Sequence, residues 1–185
     1  MHTKAVYRGS QALNDVGLRT LRFNFRGVGY STGTYDEGIG EEEDVRAALD
    51  WLKLGLRGLP VVVGGVSFGS MVGLKAGVGD PDVVALVAVG TPIEAYDYSY
   101  LARTDKPVLV IQGEHDEFGS ASLVREVVGG LGEHVTVLGI PGAGHLLDGH
   151  FEELKDGIRS FFTKGPGAEA LERPLTDVTG AMNEG

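Results

Sequence analysis

Pro60-Val61-Val62-Val63-Gly64-Gly65-Val66-Ser67-Phe68-Gly69-Ser70-Met71-Val72 is the stretch that decides the fold of this chain. Val61, Val62 and Val63 form a short, unbroken β-branched run, the mark of a parallel strand covered on both faces. Beyond the turn, Ser70 to Ala76 offers small residues and Leu74, which can pack closely as a helix. The serine between Gly65 and Gly69 therefore lies on a sharp turn from buried strand to helix. There its hydroxyl is pushed clear of the sheet, and the following amide points at the same spot. In a chain with 30 glycines among 185 residues the five-residue pattern alone says little, and its setting between strand and helix is what carries weight. A serine so placed can attack a carbonyl; the plainer reading is a serine in an ordinary turn.

Apolar runs alternate with amphipathic stretches on either side, the pattern of a parallel sheet with crossover helices. Strands are expected at Arg19 to Phe25, Pro60 to Val63, Val83 to Val89, Pro107 to Gln112 and Val135 to Ile140, giving an α/β parallel sheet of about five strands with helices on both faces. Helices are expected at Thr3 to Asn14, Glu41 to Leu54, Ala121 to Val128 and Phe151 to Phe162. In the second of these Val45, Ala48, Leu49 and Leu52 share a stripe. Glu41, Glu42, Glu43 and Asp44 crowd its first turn, where the positive end of the helix dipole favours them. Being consecutive, they point in different directions and make a poor metal site. After Lys164 large apolar residues thin out, so residues 1–164 are read as one domain and 165–185 as a flexible tail.

Bulk composition narrows the function. A net charge of −10 and a sequence pI near 4.9 repel phosphate backbones and anionic headgroups, which argues against nucleic-acid and membrane partners. The absence of cysteine excludes disulfides, a thiolate nucleophile and cysteine metal sites. No apolar run approaches the roughly 20 residues that span a bilayer, and Met1-His2-Thr3-Lys4 leads into no signal-peptide core, so a cytoplasmic protein is expected.

An alcohol is a poor nucleophile at neutral pH; Ser67 needs a histidine to take its proton and a carboxylate to hold that histidine in the useful tautomer. Asp116 follows the fourth expected strand in Gly113-Glu114-His115-Asp116, and His145 follows the fifth in Pro141-Gly142-Ala143-Gly144-His145. All three residues fall at carboxyl ends of strands, where open parallel sheets bind ligands. Glu94 and Asp97, after Val83 to Val89, are rival carboxylates. Asp148 and His150 precede the last helix and suit capping, while His115 and His134 read as surface histidines. Gly27-Val28-Gly29 is a poor dinucleotide loop, since the next glycine, Gly33, comes one place late and no helix opens directly after it. Tyr96, Tyr98 and Ile93 could line an acyl pocket or simply pack over the sheet.

Taken together, Arg22-Phe23-Asn24-Phe25-Arg26-Gly27-Val28-Gly29 with Ser31, the Gly65 to Gly69 turn, Gly113 to Asp116 and Gly144-His145 resemble the α/β-hydrolase superfamily. The likeness is to its small, lidless, dienelactone-hydrolase-like and esterase-like branch. It implies Ser67 as nucleophile, His145 as general base and then acid, Asp116 as orienting carboxylate, and the Phe68 amide as an oxyanion donor. The implied activity is cleavage of a small-molecule carboxylic ester through an acyl-enzyme, with no cofactor and no metal. A non-catalytic scaffold of the same fold, or a thioesterase or acyltransferase, is the alternative.

The same resemblance implies that the family's first strands are missing here, together with the loop that carries its second oxyanion donor. Loss of one such donor costs on the order of 10²- to 10³-fold in turnover. A gap between the strands at Arg19 to Phe25 and Pro60 to Val63 would strand backbone groups without partners. The first strand is therefore expected to shift sideways and pair with the second, and an exposed sheet edge could support a homo-oligomer.

Overall fold

In the computed structural model, which describes residues 3–56 and 58–173, the valine run becomes β1 (Val61–Val66) of a four-stranded parallel sheet. The others are β2 (Val83–Val89), β3 (Val108–Gly113) and β4 (Val135–Ile140), ordered β1-β2-β3-β4 across the sheet. Among the described residues, six α-helices accompany them: α1 (Lys4–Asp15), α2 (Ile39–Gly55), α3 (Phe68–Val78), α4 (Ala121–Val127), α5 (Phe151–Thr163) and α6 (Pro166–Glu172). Among the described residues, no helix is long and apolar enough to cross a membrane.

The two-residue alternation of the strands sorts the core into two layers. Val63, Leu86, Ala88, Val108 and Val110 face one side with Val45 and Leu49 of α2, Val72 and Leu74 of α3, and Val124 of α4. Ala85, Val87, Val89, Leu109 and Ile111 face the other with Ala5 and Ala12 of α1 and Leu154, Ile158 and Phe161 of α5. Both faces of the sheet are covered, as unbroken apolar strands require.

The expected first strand is not a strand. Among the described residues, Arg19 to Phe25 forms no strand ladder, and the sheet has four strands where about five are expected. Nor does the segment move across to β1, because both of its ends are held elsewhere. At one end the N–H groups of Val16, Gly17 and Leu18 donate to the last carbonyls of α1. At the other, the Arg26 guanidinium and backbone N–H both bind Asp44 of α2, at 2.9 Å and 2.8 Å for the closest contacts. A cavity of about 620 Å³ separates the segment from β1, lined by α1, Leu18 to Arg22, Leu52, Leu56 and the free side of β1. The flexible tail expected from residue 165 also needs correction: Pro166–Glu172 form α6, with Ala170 buried among Phe161 and Phe162 of α5. Residues 174–185 lie outside the described residues.

The acidic run at the start of α2 is fully engaged in ties to other parts of the chain. Glu41, 1 % exposed, accepts from the N–H groups of Asp36 and Gly38 and caps the helix. Burial opposes its ionisation, yet these donors hold its carboxyl below the ordinary range. Glu42 binds Arg46 and Lys75, while Glu43 and Asp44 bind Arg26.

Candidate active site

A parallel sheet delivers the carboxyl ends of all its strands to one rim. Ser67 stands immediately after β1, Asp116 three residues after β3, and His145 five residues after β4. The structure brings the three together. His145 Nε2 lies 2.8 Å from Ser67 Oγ, and His145 Nδ1 lies 2.9 Å and 3.0 Å from the two Asp116 carboxylate oxygens. With Asp116 able only to accept, Nδ1 carries the proton and donates to it, which leaves Nε2 free to accept from the Ser67 hydroxyl.

The backbone at Ser67 explains why the turn has the residues it has. Ser67 adopts φ 55° and ψ −128°, a conformation that L side chains rarely adopt. It is pinned on one side by its N–H to the Val89 carbonyl at 2.9 Å, and on the other by its carbonyl, which accepts from the Ser70 N–H at 2.8 Å and Ser70 Oγ at 2.7 Å. At Gly65 any Cβ would overlap the Gly69 carbonyl, whereas a Cβ at Gly69 would meet only Phe25, at an ordinary 3.8 Å. The two glycines of the pattern are thus unequal: the first is forced by close backbone approach and the second is not. Phe68 opens α3, so its N–H has no intrahelical acceptor.

Asp116 is held as tightly as it is buried. Its side chain is fully inaccessible, and its oxygens accept from the Phe118 N–H at 2.9 Å and Gln112 Nε2 at 2.7 Å as well as from His145. Phe118 lays its ring against the imidazole with centroids 4.6 Å apart, while remaining 45 % exposed.

The remaining expected residues differ in how near they come to this rim. Tyr96 packs against the Phe68 ring, which also meets Phe25 and the exposed Tyr35, forming an aromatic cluster beside Ser67. Ile93 packs against Gly119, at the end of the turn that carries Asp116. Tyr98 is 2 % exposed, its hydroxyl 3.1 Å from Ser70 Oγ beneath the turn, so it offers no surface to a ligand and braces α3 from below. Burial pushes its phenol well above the ordinary tyrosine range. Of the rival carboxylates, Asp97 is spent locally, accepting from the Ser99 N–H and hydroxyl, and Glu94 is exposed. His150 pairs with Glu153, and His134 Nε2 sits 3.0 Å from the Leu101 carbonyl. Gly27 and Gly29 belong to a compact turn closed by Gly27 N–H to Thr32 O, with no helix following directly. Among the described residues, no three His, Asp or Glu side chains gather as a metal site.

Two residues at the site went unread in the sequence. Gln112 had a signal, being the one polar side chain on the otherwise apolar run Val108 to Gln112. Phe118, an aromatic in an acidic turn, had none.

Comparison with known proteins agrees with this architecture. Residues 1–155 match the family described as an alpha/beta hydrolase domain. An uncharacterized protein of Rickettsia prowazekii is 33 % identical over 170 residues, covering 87 % of this chain and 71 % of that protein. Among solved structures, an alpha-beta serine hydrolase homologue from Coxiella burnetii superposes with a TM-score of 0.80 at 33 % identity, covering 86 % of this chain and 76 % of the other. An a/b serine hydrolase without lid from Xanthomonas campestris gives 0.82 at 28 % identity, with 94 % and 76 % covered. With sheet, serine turn and rim all in agreement, the chain belongs to the alpha/beta hydrolase family.

Proposed function

We propose that this chain is a serine hydrolase that cleaves small carboxylic esters through an acyl-enzyme. The observation that carries this reading is the unbroken line Ser67 Oγ, His145 Nε2, His145 Nδ1, Asp116, with hydrogen-bond distances of 2.8 Å and 2.9 Å. As Ser67 Oγ bonds the ester carbonyl carbon, its proton passes to His145 Nε2, and Asp116 stabilises the imidazolium that forms. The carbonyl oxygen takes the electron pair and is met by the Phe68 N–H. Collapse of this adduct breaks the bond to the alcohol oxygen, which takes the proton from Nε2. A water molecule then repeats the sequence on the acyl group, with His145 again accepting the proton, and frees the acid and Ser67.

The connection from β2 to β3, residues 90–107, holds a single short 3-10 turn at Ser99–Arg103 and no cap domain, which favours small or short-acyl substrates at an open rim. Thioesters and lactones share the first step of this chemistry and are within its reach.

A fluorophosphonate probe followed by peptide mapping tests the reading. Label is expected on Ser67 and absent from Ser67→Ala, and short p-nitrophenyl esters are expected to be hydrolysed by the unaltered chain alone. A folded protein that takes no label would favour the non-catalytic scaffold.

A further inference from the structure

We propose that Gln112 is a positioning residue for this chemistry, holding both the orienting carboxylate and the backbone on which the imidazole rests. The inference rests on the serine hydrolase reading above. Gln112 is completely buried at the end of β3, a place where an amide is costly unless each of its polar atoms finds a partner. Every one does. Oε1 accepts from the Thr91 N–H at 2.6 Å, and Nε2 donates to Asp116 Oδ2 and to the Gly119 carbonyl, both at 2.7 Å, with a longer approach of 3.2 Å to the Thr91 carbonyl. The amide has one admissible orientation, because reversing it would set a carbonyl oxygen against a carboxylate and an NH₂ against an N–H.

Two consequences follow for the reaction. First, the two Nε2 hydrogens grip the Asp116 turn at its carboxylate and at its far end, Gly119. The Phe118 N–H holds the other Asp116 oxygen, so the carboxylate cannot rotate away from Nδ1. Second, Oε1 anchors Thr91, and the preceding Gly90 is the floor beneath the imidazole: a Cβ there would lie 2.5 Å from the His145 carbonyl oxygen and 3.4 Å from Nδ1. One side chain therefore sets the relative height of the carboxylate and the imidazole. The donor on Oδ2 also disperses carboxylate charge, so that Asp116 steadies the imidazolium without drawing in its proton. Within hydrogen-bond reach of the imidazole stand Asp116 from the β3 turn and Ser67 from the β1 turn, and the Phe118 ring packs against it at 62°.

The test uses the whole chain, with Gln112→Leu and Gln112→Glu, p-nitrophenyl acetate as substrate and the fluorophosphonate probe. Far-ultraviolet circular dichroism confirms folding. In Gln112→Leu, kcat is expected to fall about ten- to a hundredfold, the scale of a lost hydrogen bond to a charged group, with KM little changed. The acidic limb of its kcat/KM profile should move to higher pH, because a carboxylate stripped of a donor attracts the imidazolium more strongly. Gln112→Glu keeps the size and the acceptor for Thr91 but sets a second carboxyl against Asp116, and should move the limb the same way and further. If Gln112→Leu does not fold, Gln112→Glu decides alone. Variants that fold and keep the original pH limb and kcat, while the unaltered chain is labelled at Ser67, overturn the role of Gln112 and leave the hydrolase reading standing. An unaltered chain that takes no label overturns both.

Discussion

At the scale of single residues, Ser67 is where this molecule stores strain for the sake of geometry. Its positive φ lifts Oγ off the sheet toward His145, and the surrounding hydrogen bonds to Val89 and Ser70 keep it there. A non-glycine residue in such a conformation costs on the order of 1–3 kcal/mol. Ser67→Ala removes the hydroxyl and keeps that strain, whereas Ser67→Gly removes both. In urea denaturation Ser67→Gly is therefore expected to be about 1 kcal/mol more stable than Ser67→Ala, after allowing for the greater freedom of unfolded glycine. Equal stability of the two variants would contradict a strained turn. Gly65 illustrates the opposite constraint, since there it is the missing Cβ that lets the strand and helix meet.

At the scale of elements, the segment from Arg19 to Tyr35 is organised by α2 rather than by the sheet. Arg26 reaches Asp44 through its side chain and its backbone N–H, and Ser31 Oγ donates to the Asn24 carbonyl inside the same turn. The hydrogen bonds from Arg26 hold the Asp44 carboxyl below its ordinary range against the opposing effect of burial. A carboxylate whose folded pKa is depressed contributes stability that is full above its unfolded value, about 3.9, and disappears as pH falls through the lower folded value. Asp44→Asn is accordingly expected to be less stable than the unaltered chain at pH 7, with the difference closing below about pH 4. Thermal unfolding at pH 7 and at pH 3 checks this, and a difference that persists unchanged at pH 3 would show that Asp44 acts through packing alone.

At the scale of the whole molecule, β4 and β1 are the edges of the sheet among the described residues, and a cavity lies beside β1. Val61 N–H donates to Asp82 O and Ser67 N–H to Val89 O, so alternation along β1 turns the N–H and C=O groups of Val62, Gly64 and Val66 away from β2 and into the cavity. β1 is only partly buried, although β2 and β3 are almost wholly so. Among the described residues, no backbone group pairs with that side of β1. Hydrogen exchange should therefore be faster by orders of magnitude at the amides of Val62, Gly64 and Val66 than at Val63 and Gly65 on the same strand. Uniform protection along β1 would mean that something pairs with its outer edge in solution.

Local pattern was enough for much of this. The apolar runs Val61 to Val63, Val83 to Val89 and Val135 to Ile140, the stripe Val45, Ala48, Leu49, Leu52, and the order of Ser67, Asp116 and His145 after β1, β3 and β4 all follow from short-range periodicity and from one geometric fact, that parallel strands share a rim. What happens between distant segments could not be read that way. Arg19 to Phe25 has the composition of a strand, but a strand exists only when a neighbour accepts its hydrogen bonds, and its two anchored ends deny it one. Tyr98 looks like a pocket residue until burial and the Ser70 hydroxyl claim it, and Gln112 looks incidental until Thr91, Asp116 and Gly119 converge on its amide. Residue type and spacing determined which chemistry this chain could carry. Tertiary structure alone decided which polar groups meet, because hydrogen bonds between residues far apart in the chain depend on where the packed layers bring them.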